Sequence, residues 1–347
     1  MIMQTKRLFV VFGLMLGMMF CAGCVFEEQD SPTGGGGGGG SGGSNNNVTT
    51  IVTSEGTVLR GGSLTAKLDW LDRSAESHNT YILEVNANQN IAPRTLRYQG
   101  AINITVILRG DENNRTIRLS SNGNMFQVRG NVTLVLDNNI TLHGHSGNTD
   151  GGFFLGSLIW IVDGNLVMNN GSTITGDAMT GVRLHGGNFE MNGGTISNNQ
   201  GGGVDLLSGT FNMHSGTITG NTKYGGVRTS LNGGAFNMYG GTITGNTADR
   251  GGGVNFTAGS FNMYGGTISN NIAREYGGGV YGNINKTGGT ITGYNSDQSN
   301  GNVVKDGSGN ILARRGHAVY VSSDRRKETT AGTSVNLSSS SAENWDE

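Results

Sequence analysis

The feature of this sequence that most restricts its fold is an internal repeat of 22 to 25 residues. An isoleucine in the same local context marks each copy, at Ile174, Ile196, Ile218, Ile243, Ile268 and Ile291. These isoleucines follow one another at intervals of 22, 22, 25, 25 and 23 residues. Repeats with a period of roughly 20 to 50 residues are typical of solenoids and propellers, in which similar units pack against their neighbours. The chain is therefore expected to be a stack of similar units.

Each period contains three short motifs in which apolar and polar residues alternate. In one copy they are residues 211–213 (Phe-Asn-Met), 217–219 (Thr-Ile-Thr) and 225–227 (Gly-Gly-Val). Such alternation predicts strands that point Phe, Met and Ile inward. Glycine and β-branched residues disfavour a helical solenoid, and a propeller blade needs about 40 residues. We expect an all-β fold, a right-handed parallel β-helix over residues 81–321 with three short strands per coil.

One turn of the repeat carries an asparagine in four successive copies. These residues are Asn199, Asn221, Asn246 and Asn271. Stacked coils place equivalent residues about 4.8 Å apart. The four amides are therefore predicted to satisfy one another and the nearby backbone.

The outward positions around the Phe-x-Met motif contain the best candidate for a binding face. We call His214, Tyr239 and Tyr264 the aromatic row, and Asn212, Asn237 and Asn262 the amide row. Aromatic side chains beside amides suit sugar rings, and exposed aromatic residues often mark binding sites. The alternative is that tyrosine simply fits the surface of a strand. The same holds for the outward threonines of the Thr-Ile-Thr motif.

Two neighbouring motifs resemble a known class of surface protein. Residues 243–248 (Ile-Thr-Gly-Asn-Thr-Ala) are followed by residues 251–254 (Gly-Gly-Gly-Val). This pair is similar to the repeats of polymorphic outer membrane proteins and related β-helix surface proteins. The resemblance covers roughly residues 132–321 and implies the architecture, whereas one solenoid architecture supports many activities.

The N-terminus resembles that of a bacterial lipoprotein. Two basic residues precede the uncharged apolar run 8–20, which is about the length of a signal-peptide core. Residues 20–24 (Phe-Cys-Ala-Gly-Cys) resemble a lipobox, which implies that residues 1–23 are a signal peptide and that Cys24 is acylated. By the same resemblance, Val25 after this cysteine allows export to the outer membrane. An ordinary cleaved signal or an uncleaved hydrophobic helix is the alternative.

The segments outside the repeats have separate expected roles. Residues 24–50 begin with Cys24 and contain an unbroken glycine run at 34–40. This segment is predicted to be a flexible tether behind the acylated cysteine. Residues 51–80 are predicted to be an N-terminal cap containing one helix, 63–75, with Ser63 as its N-cap. Residues 322–347 are predicted to be a C-terminal cap and tail, whose charges discourage end-to-end pairing of strands.

Many parallel β-helices act on polysaccharides, and such an activity requires catalytic carboxylates. Residues 148–151 (Asn-Thr-Asp-Gly) superficially resemble a polygalacturonase motif, but the His-Gly-His at 143–145 precedes it instead of following it. Glycoside hydrolysis needs two carboxyl groups about 5 to 9.5 Å apart. The carboxylates of the repeats are isolated from one another and were assigned to turns: Asp163, Asp177, Glu190 and Asp205. No catalytic residue is predicted.

No cofactor or metal is expected either. The repeats offer Asn and Thr, whereas calcium prefers several carboxylate and carbonyl oxygens. His143, His145 and His214 lack the spacing of metal ligands, and Arg183 and Arg228 are expected to be solvated surface residues. A formal net charge of -2 indicates no basic footprint for nucleic acid.

The sequence thus predicts a non-enzymatic lipoprotein of the bacterial envelope, held at the outer membrane and exposed at the surface. Its partners are expected to be the membrane, through the lipid, and a glycan or host protein on the outer face of the solenoid. Two other functions remain open. One is a structural envelope spacer without a specific ligand, and the other is a polysaccharide lyase or hydrolase.

Overall fold

A computed structural model describes residues 47–149, 156–229, 232–294, 297–313 and 315–321, and the backbone of 325–327 and 335–337. The predicted signal peptide, Cys24 and the glycine run lie outside the described residues. A strand begins at Val48, inside the segment that was assigned to the tether.

The described chain is an all-β, mostly parallel solenoid of about nine turns with one helix. The strands lie on three faces, and most coils contribute a strand to each face. In two coils one long strand runs through two of the faces. We name the faces after their central motifs: the Phe-x-Met face, the Thr-Ile-Thr face and the Gly-Val face.

The Thr-Ile-Thr face is a continuous sheet of nine parallel strands. Its strands are Gln89–Ile91, Arg115–Leu119, Ile140–His143, Ser172–Thr175, Thr195–Ser197, Thr217–Thr219, Thr242–Thr244, Thr267–Ser269 and Thr290–Ile291.

The other two faces share two long strands, Thr180–Met191 and Val204–Met213, which run from the Gly-Val face into the Phe-x-Met face. The remaining parallel strands of the Phe-x-Met face are Gly56–Gly61, Thr80–Val85, Thr105–Gly110, Thr133–Leu136, Asn165–Met168, Ala235–Met238, Ser260–Met263 and Ile284–Lys286. Those of the Gly-Val face are Arg94–Leu96, Phe126–Val128, Ser157–Ile161, Val227–Thr229, Val254–Phe256, Val280–Gly282 and Val319–Val321.

A third, short sheet lies between the Thr-Ile-Thr and Gly-Val faces and was not predicted. It contains Thr247–Arg250, Ile272–Tyr276 and Val303–Val304. These strands occupy the segments in which the coils are longer than 22 residues. The extra residues pair with one another and extend the turn outward.

The Phe-x-Met and Gly-Val faces belong to one sheet, and antiparallel strands cover both ends of that sheet. Val48–Thr53 pairs with Gly56–Gly61 as a hairpin at the N-terminal side. At the C-terminal side, Arg325–Lys327 pairs with Val319–Val321, and Val335–Leu337 pairs with Ile284–Lys286. Covering an edge in this way limits pairing with another chain.

The core is built from ladders of like residues, as the alternation predicts. Phe189, Phe211, Phe236 and Phe261 stack face to face, with ring centroids 4.5, 4.9 and 4.9 Å apart and interplanar angles of 9°. The Met and Ile residues of the central repeats are fully buried as well. Burial of one such side chain stabilises the fold by about 1.5 to 3 kcal/mol.

The first coils, between residues 80 and 142, are regular although their sequence shows no clear repeat. Thr80–Val85 pairs in parallel with Thr105–Gly110, which pairs in turn with Thr133–Leu136. Here Leu83, Leu108 and Leu136 occupy the inward position that Met takes later.

The one described helix runs from Leu64 to Ser74, within a residue of the predicted bounds. Ser63 caps it, because its hydroxyl accepts a hydrogen bond from the backbone N–H of Ala66. Its apolar stripe of Leu64, Leu68 and Leu71 is buried in the same cluster as the core of the coils.

The predicted asparagine ladder is present and fully buried. Asn199 Nδ2 donates to Asn221 Oδ1, Asn221 to Asn246, and Asn246 to Asn271, each at 3.0 Å. The acceptor oxygens also receive the backbone N–H of the preceding asparagine. Asn302 adds a fifth member at 2.8 Å. It was missed because an insertion separates it from Asn271 by 31 residues.

Candidate binding face

The structure brings the three members of the aromatic row together. The rings of His214 and Tyr239 stack with centroids 5.0 Å apart and an interplanar angle of 5°. Those of Tyr239 and Tyr264 stack at 5.0 Å and 13°. Tyr239 is 47% exposed and Tyr264 is 45% exposed. The row is therefore a continuous aromatic surface open to solvent.

The tight turn that follows each ring sets this spacing. A Cβ on Gly240 would lie 2.4 Å from the carbonyl oxygen of His214, and one on Gly265 would lie 2.3 Å from that of Tyr239. Only glycine fits such contacts between backbones. The paired glycines after each tyrosine let the coils stack closely enough for the rings to touch.

The aromatic row is one part of a longer row, which we call the outer row. It consists of the residues that directly follow the inward Leu, Met or Lys of each Phe-x-Met strand. Its members are Arg60, Glu84, Arg109, Asp137, Asn169, Asn192, His214, Tyr239, Tyr264 and Thr287.

The stacking leaves two ring faces without an aromatic neighbour among the described residues, one on His214 and one on Tyr264. Both faces of Tyr239 are occupied, by His214 and Tyr264. The next residue of the outer row after Tyr264 is Thr287, which is small and exposed. A ligand can therefore stack only on the outer faces of His214 and Tyr264, whereas Tyr239 offers its edge and its hydroxyl group.

The amide row lies beside the aromatic row and forms a hydrogen-bonded chain. Asn262 Nδ2 donates to Asn237 Oδ1, and Asn237 Nδ2 to Asn212 Oδ1, both at 2.9 Å. Asn285 joins the chain at 3.4 Å. A primary amide has two N–H donors and two lone pairs on its oxygen. Each member thus keeps hydrogen-bonding capacity beyond the chain.

Glu190 ends the amide row and fixes the first member of both rows. Its Oε1 accepts from Asn212 Nδ2 at 2.7 Å, and its Oε2 lies 3.1 Å from His214 Nε2. The assignment of Glu190 to a turn is wrong, because it lies in the strand Thr180–Met191 in register with Asn212. The signal was its place as the middle residue of a Phe-x-Met motif, between Phe189 and Met191.

A shallow polar groove of about 490 Å³ runs next to the aromatic row, along the turns that lead into the Thr-Ile-Thr face. Thr195, Thr217 and Thr242 line it together with turn glycines. Ser215, which follows His214 directly, also lines it. The groove places hydroxyl groups beside the aromatic row over several coils.

The carboxylates considered for catalysis are held by structural contacts. Asp177 occupies the ladder position of the turn asparagines, and its backbone N–H donates to Asn199 Oδ1 at 3.1 Å. Burial raises the pKa of its carboxyl group, although Met179 and Asn148 donate hydrogen bonds to it. Asp177 is therefore the head of the buried ladder, and on its other side it accepts hydrogen bonds from the backbone of His145 and the side chain of Asn148.

Asp205 is likewise not in a turn, and its two arginine partners are not solvated surface residues. It lies in the strand Val204–Met213, in register with Arg183 on one side and Arg228 on the other. Its Oδ2 accepts from Arg183 at 3.2 Å and from Arg228 at 2.9 Å. Arg183 and Asp205 are buried. Sequence patterns could not show this, because the three residues are 22 and 23 positions apart.

Within the described ranges, no group of three or more His, Cys, Asp or Glu side chains is arranged to hold a metal ion. The helix Leu64–Ser74 is the only one in that part of the chain, and no described helix is long and apolar enough to cross a membrane. Comparison with protein-family models, with curated proteins and with solved structures finds no match to this chain.

Proposed function

We propose that the protein is a non-enzymatic lipoprotein of the bacterial envelope that binds glycans through the aromatic and amide rows. The observation that carries the proposal is the row of three stacked, solvent-exposed aromatic rings beside a chain of amides and a hydroxyl-lined groove. Apolar ring surface next to hydrogen-bonding groups suits the two sides of a sugar ring.

The C-terminal end of the aromatic row is the proposed centre of binding. A sugar ring stacks there on the face of Tyr264 that has no aromatic neighbour. Asn262 and Asn285 lie on the adjacent strand positions and supply hydrogen bonds to hydroxyl groups. Further sugars extend along the hydroxyl groups of Tyr239 and the threonines of the groove.

The test is a binding assay of the full chain against a panel of neutral oligosaccharides. We expect Tyr264→Ala to weaken binding about tenfold, and Tyr239→Ala to weaken it less, because Tyr239 mainly supports its neighbours. Ile102→Ala is the matched control, since Ile102 is an exposed apolar residue far along the solenoid from the row. If the double variant of Tyr239 and Tyr264 binds as the parent does, this face is not the binding site.

The anchoring part of the proposal rests on the sequence. Acylation of Cys24 and the glycine-rich tether would hold a right-handed β-helix at the outer membrane, with the helix Leu64–Ser74 closing its first coil. Proteinase K treatment of intact cells should release the solenoid by cleavage in the 34–43 segment, and Cys24→Ala should abolish acyl labelling. Protection until the envelope is opened would place the protein in the periplasm.

The two competing functions give different results in the same assays. A structural spacer would bind none of the oligosaccharides and would show no attachment defect when deleted. A polysaccharide lyase or hydrolase would release unsaturated products or new reducing ends from a polysaccharide panel, with or without calcium.

A further inference from the structure

A second concave site lies on the other side of the solenoid, where the turns enter the Gly-Val face. It has a volume of about 350 Å³. We call it the basic pocket and define it by six of its lining residues: Lys223, Tyr224, Arg228, Arg250, Asn255 and Glu275. Its walls are the outward positions of Val227–Thr229 and Val254–Phe256 and the extra strands of the long coils.

Arg228 is held rigidly at the base of this pocket. Its guanidinium carbon lies 3.5 Å from the ring centroid of Tyr224, and one of its Nη atoms donates to Asp205 at 2.9 Å. The Nε atom of Arg228 is buried, and no described group accepts a hydrogen bond from it. A buried guanidinium N–H without an acceptor is costly unless a ligand supplies one.

An unsatisfied acceptor lies in the same pocket. Asn255 is in register with Arg228 on the next coil. Its Oδ1 is buried and receives no hydrogen bond from the described residues. One donor and one acceptor, both without a partner among the described residues, thus lie enclosed beneath the pocket surface on adjacent strands.

The charges of the pocket favour an anion of low charge. Arg250 is paired with Glu275 at 2.6 Å. Lys223 lies 4.9 Å from the centroid of the Tyr224 ring and has no ion-pair partner among the described residues. Asp249 also lines the pocket and is paired with Arg274 at 3.3 Å. The lining thus carries three cations, Lys223, Arg228 and Arg250, against two carboxylates, and the carboxylates would repel a dianion.

We propose that the basic pocket binds a saccharide that carries a carboxylate. The carboxylate accepts hydrogen bonds from Arg228, whose planar guanidinium matches its geometry, and is attracted by Lys223. A hydroxyl group on the same sugar donates to Asn255 Oδ1. A phosphate ester is largely a dianion near pH 7, so the carboxylates of Glu275 and Asp249 in the lining disfavour it relative to a carboxylate. This site does not depend on the aromatic row.

The probes are methyl β-glucuronide, its methyl ester and glucose 6-phosphate, titrated into the full chain and followed by ligand-observed NMR. We expect saturable binding of the glucuronide below about 10 mM, and at least tenfold weaker binding of the ester. Equal binding of the ester, equal or tighter binding of the phosphate, or no saturation by the glucuronide would each overturn the proposal.

Three variants locate the binding. Arg228→Lys keeps the charge but removes the Nε donor and the planar stack, and Lys223→Gln removes an exposed charge without touching the buried contacts. Each should weaken glucuronide binding about tenfold. Arg60→Gln, an exposed ion-paired arginine on the Phe-x-Met face, should leave it unchanged. If Arg228→Lys fails to fold, Lys223→Gln decides, and unchanged binding in that variant contradicts the assignment.

Discussion

The two halves of the outer row use the same geometry for different chemistry. In the N-terminal half, Arg60 pairs with Glu84, and Arg109 pairs with Asp137, both at 2.8 Å. In the C-terminal half, the same coil position carries the stacked rings of His214, Tyr239 and Tyr264. Charged side chains of opposite sign satisfy one another along the row. Stacked rings leave hydroxyl groups, edges and the two terminal faces for a ligand.

The neighbouring outward position changes in the same direction. In the N-terminal half it carries Ile107, Val135 and Val167, which are half-buried and offer no hydrogen bonds. From Glu190 onward it carries the amide row. Backbone pairing alone therefore does not make a binding face. The two halves differ in the side chains that the register aligns. Only the C-terminal half aligns aromatic rings and amides, so the candidate site lies there.

The largest expected effect on stability comes from disrupting the buried asparagine ladder, which lies in the C-terminal half. Asn246→Ala removes an acceptor for two groups of Asn221 and a donor to Ile218 O and Thr244 O. We expect it to lower the free energy of unfolding by about 3 kcal/mol or more, because several buried polar groups lose partners. Denaturant unfolding measures this.

Asn262→Ala is the matched control for that variant. Asn262 is also in a ladder of amides, but its ladder lies on the partly exposed outer surface. Water can replace the lost hydrogen bonds there, so the cost should stay within about 1 kcal/mol. Equal costs for the two variants would mean that burial does not distinguish the ladders.

Acid should destabilise the C-terminal coils before the N-terminal ones. His317 is buried, and its Nδ1 accepts the backbone N–H of Val304 at 2.9 Å. Burial lowers the pKa of His317 to about 4 from its ordinary 6.5. Between these values the unfolded chain binds a proton that the folded chain does not, so stability falls as pH falls from 6.5 toward 4. The loss is at most roughly 3 kcal/mol.

Hydrogen exchange at pH 7 and pH 5 would measure this as a loss of protection, relative to the intrinsic exchange rate at each pH. The loss should be larger in the strand Val319–Val321 than in Thr80–Val85. His317→Gln keeps an acceptor but does not titrate in this range, so it should remove most of the difference. An unchanged difference in that variant would assign the acid sensitivity to another group.

Lys286 is a charged residue in the apolar core of the C-terminal half, and its replacement is expected to have a smaller effect on stability. It occupies the inward position of Met263 on the next coil and is buried. Burial lowers the pKa of its ammonium group. Lys286→Met continues the methionine ladder, and we expect it to raise the free energy of unfolding at pH 7 by about 1 to 2 kcal/mol.

The pH dependence checks the cause. In the parent, the folded chain loses the proton of Lys286 at a lower pH than the unfolded chain does, because burial lowers the pKa of the folded state. Between the two pKa values the unfolded chain binds more protons. Stability should therefore rise with pH toward the ordinary value of 10.5. Lys286→Met should lack this rise, whereas a rise of the same size in the variant would rule out Lys286 as its source.

The smallest effect is expected from the ion pairs of the first half. Arg109→Gln removes contacts to Asp137 and Glu55 that are partly exposed to solvent. Such pairs contribute about 0 to 1 kcal/mol, and salt screens them. Thermal unfolding should change little, and neutral glycan binding should not change. Weaker binding in this variant would extend the site into the N-terminal half.

Much of the fold could be predicted because the period and the alternation act locally. The spacing of Ile196 and Ile218 predicts the coil length, and the alternation in residues 211–213 predicts the inward Phe and Met. Ser63 and the leucines after it predict the helix to within one residue. The hairpin Val48–Thr53 with Gly56–Gly61 and the short sheet of the long coils were missed, because neither follows the repeat.

For the candidate site, the sequence identified the aromatic and amide rows but not their terminal partner. Glu190 breaks the series of asparagines, and an isolated carboxylate predicts a turn residue. The register instead places it beside Asn212, where its carboxylate contacts the side chains of Asn212 and His214. The buried Arg183 and Asp205 were also missed. A charged residue on an outward strand position is normally exposed, and only the surrounding coils decide whether it is.

By itself the sequence determined the coil: its length, its three strands, its inward residues and its buried asparagine turn. These depend on spacing along the chain, and spacing is written in the sequence. The tertiary structure decided which faces of the rings stay open, which charges are buried, and that the basic pocket exists. Those properties arise between residues more than twenty positions apart, where the distance between atoms depends on how each insertion folds between the coils.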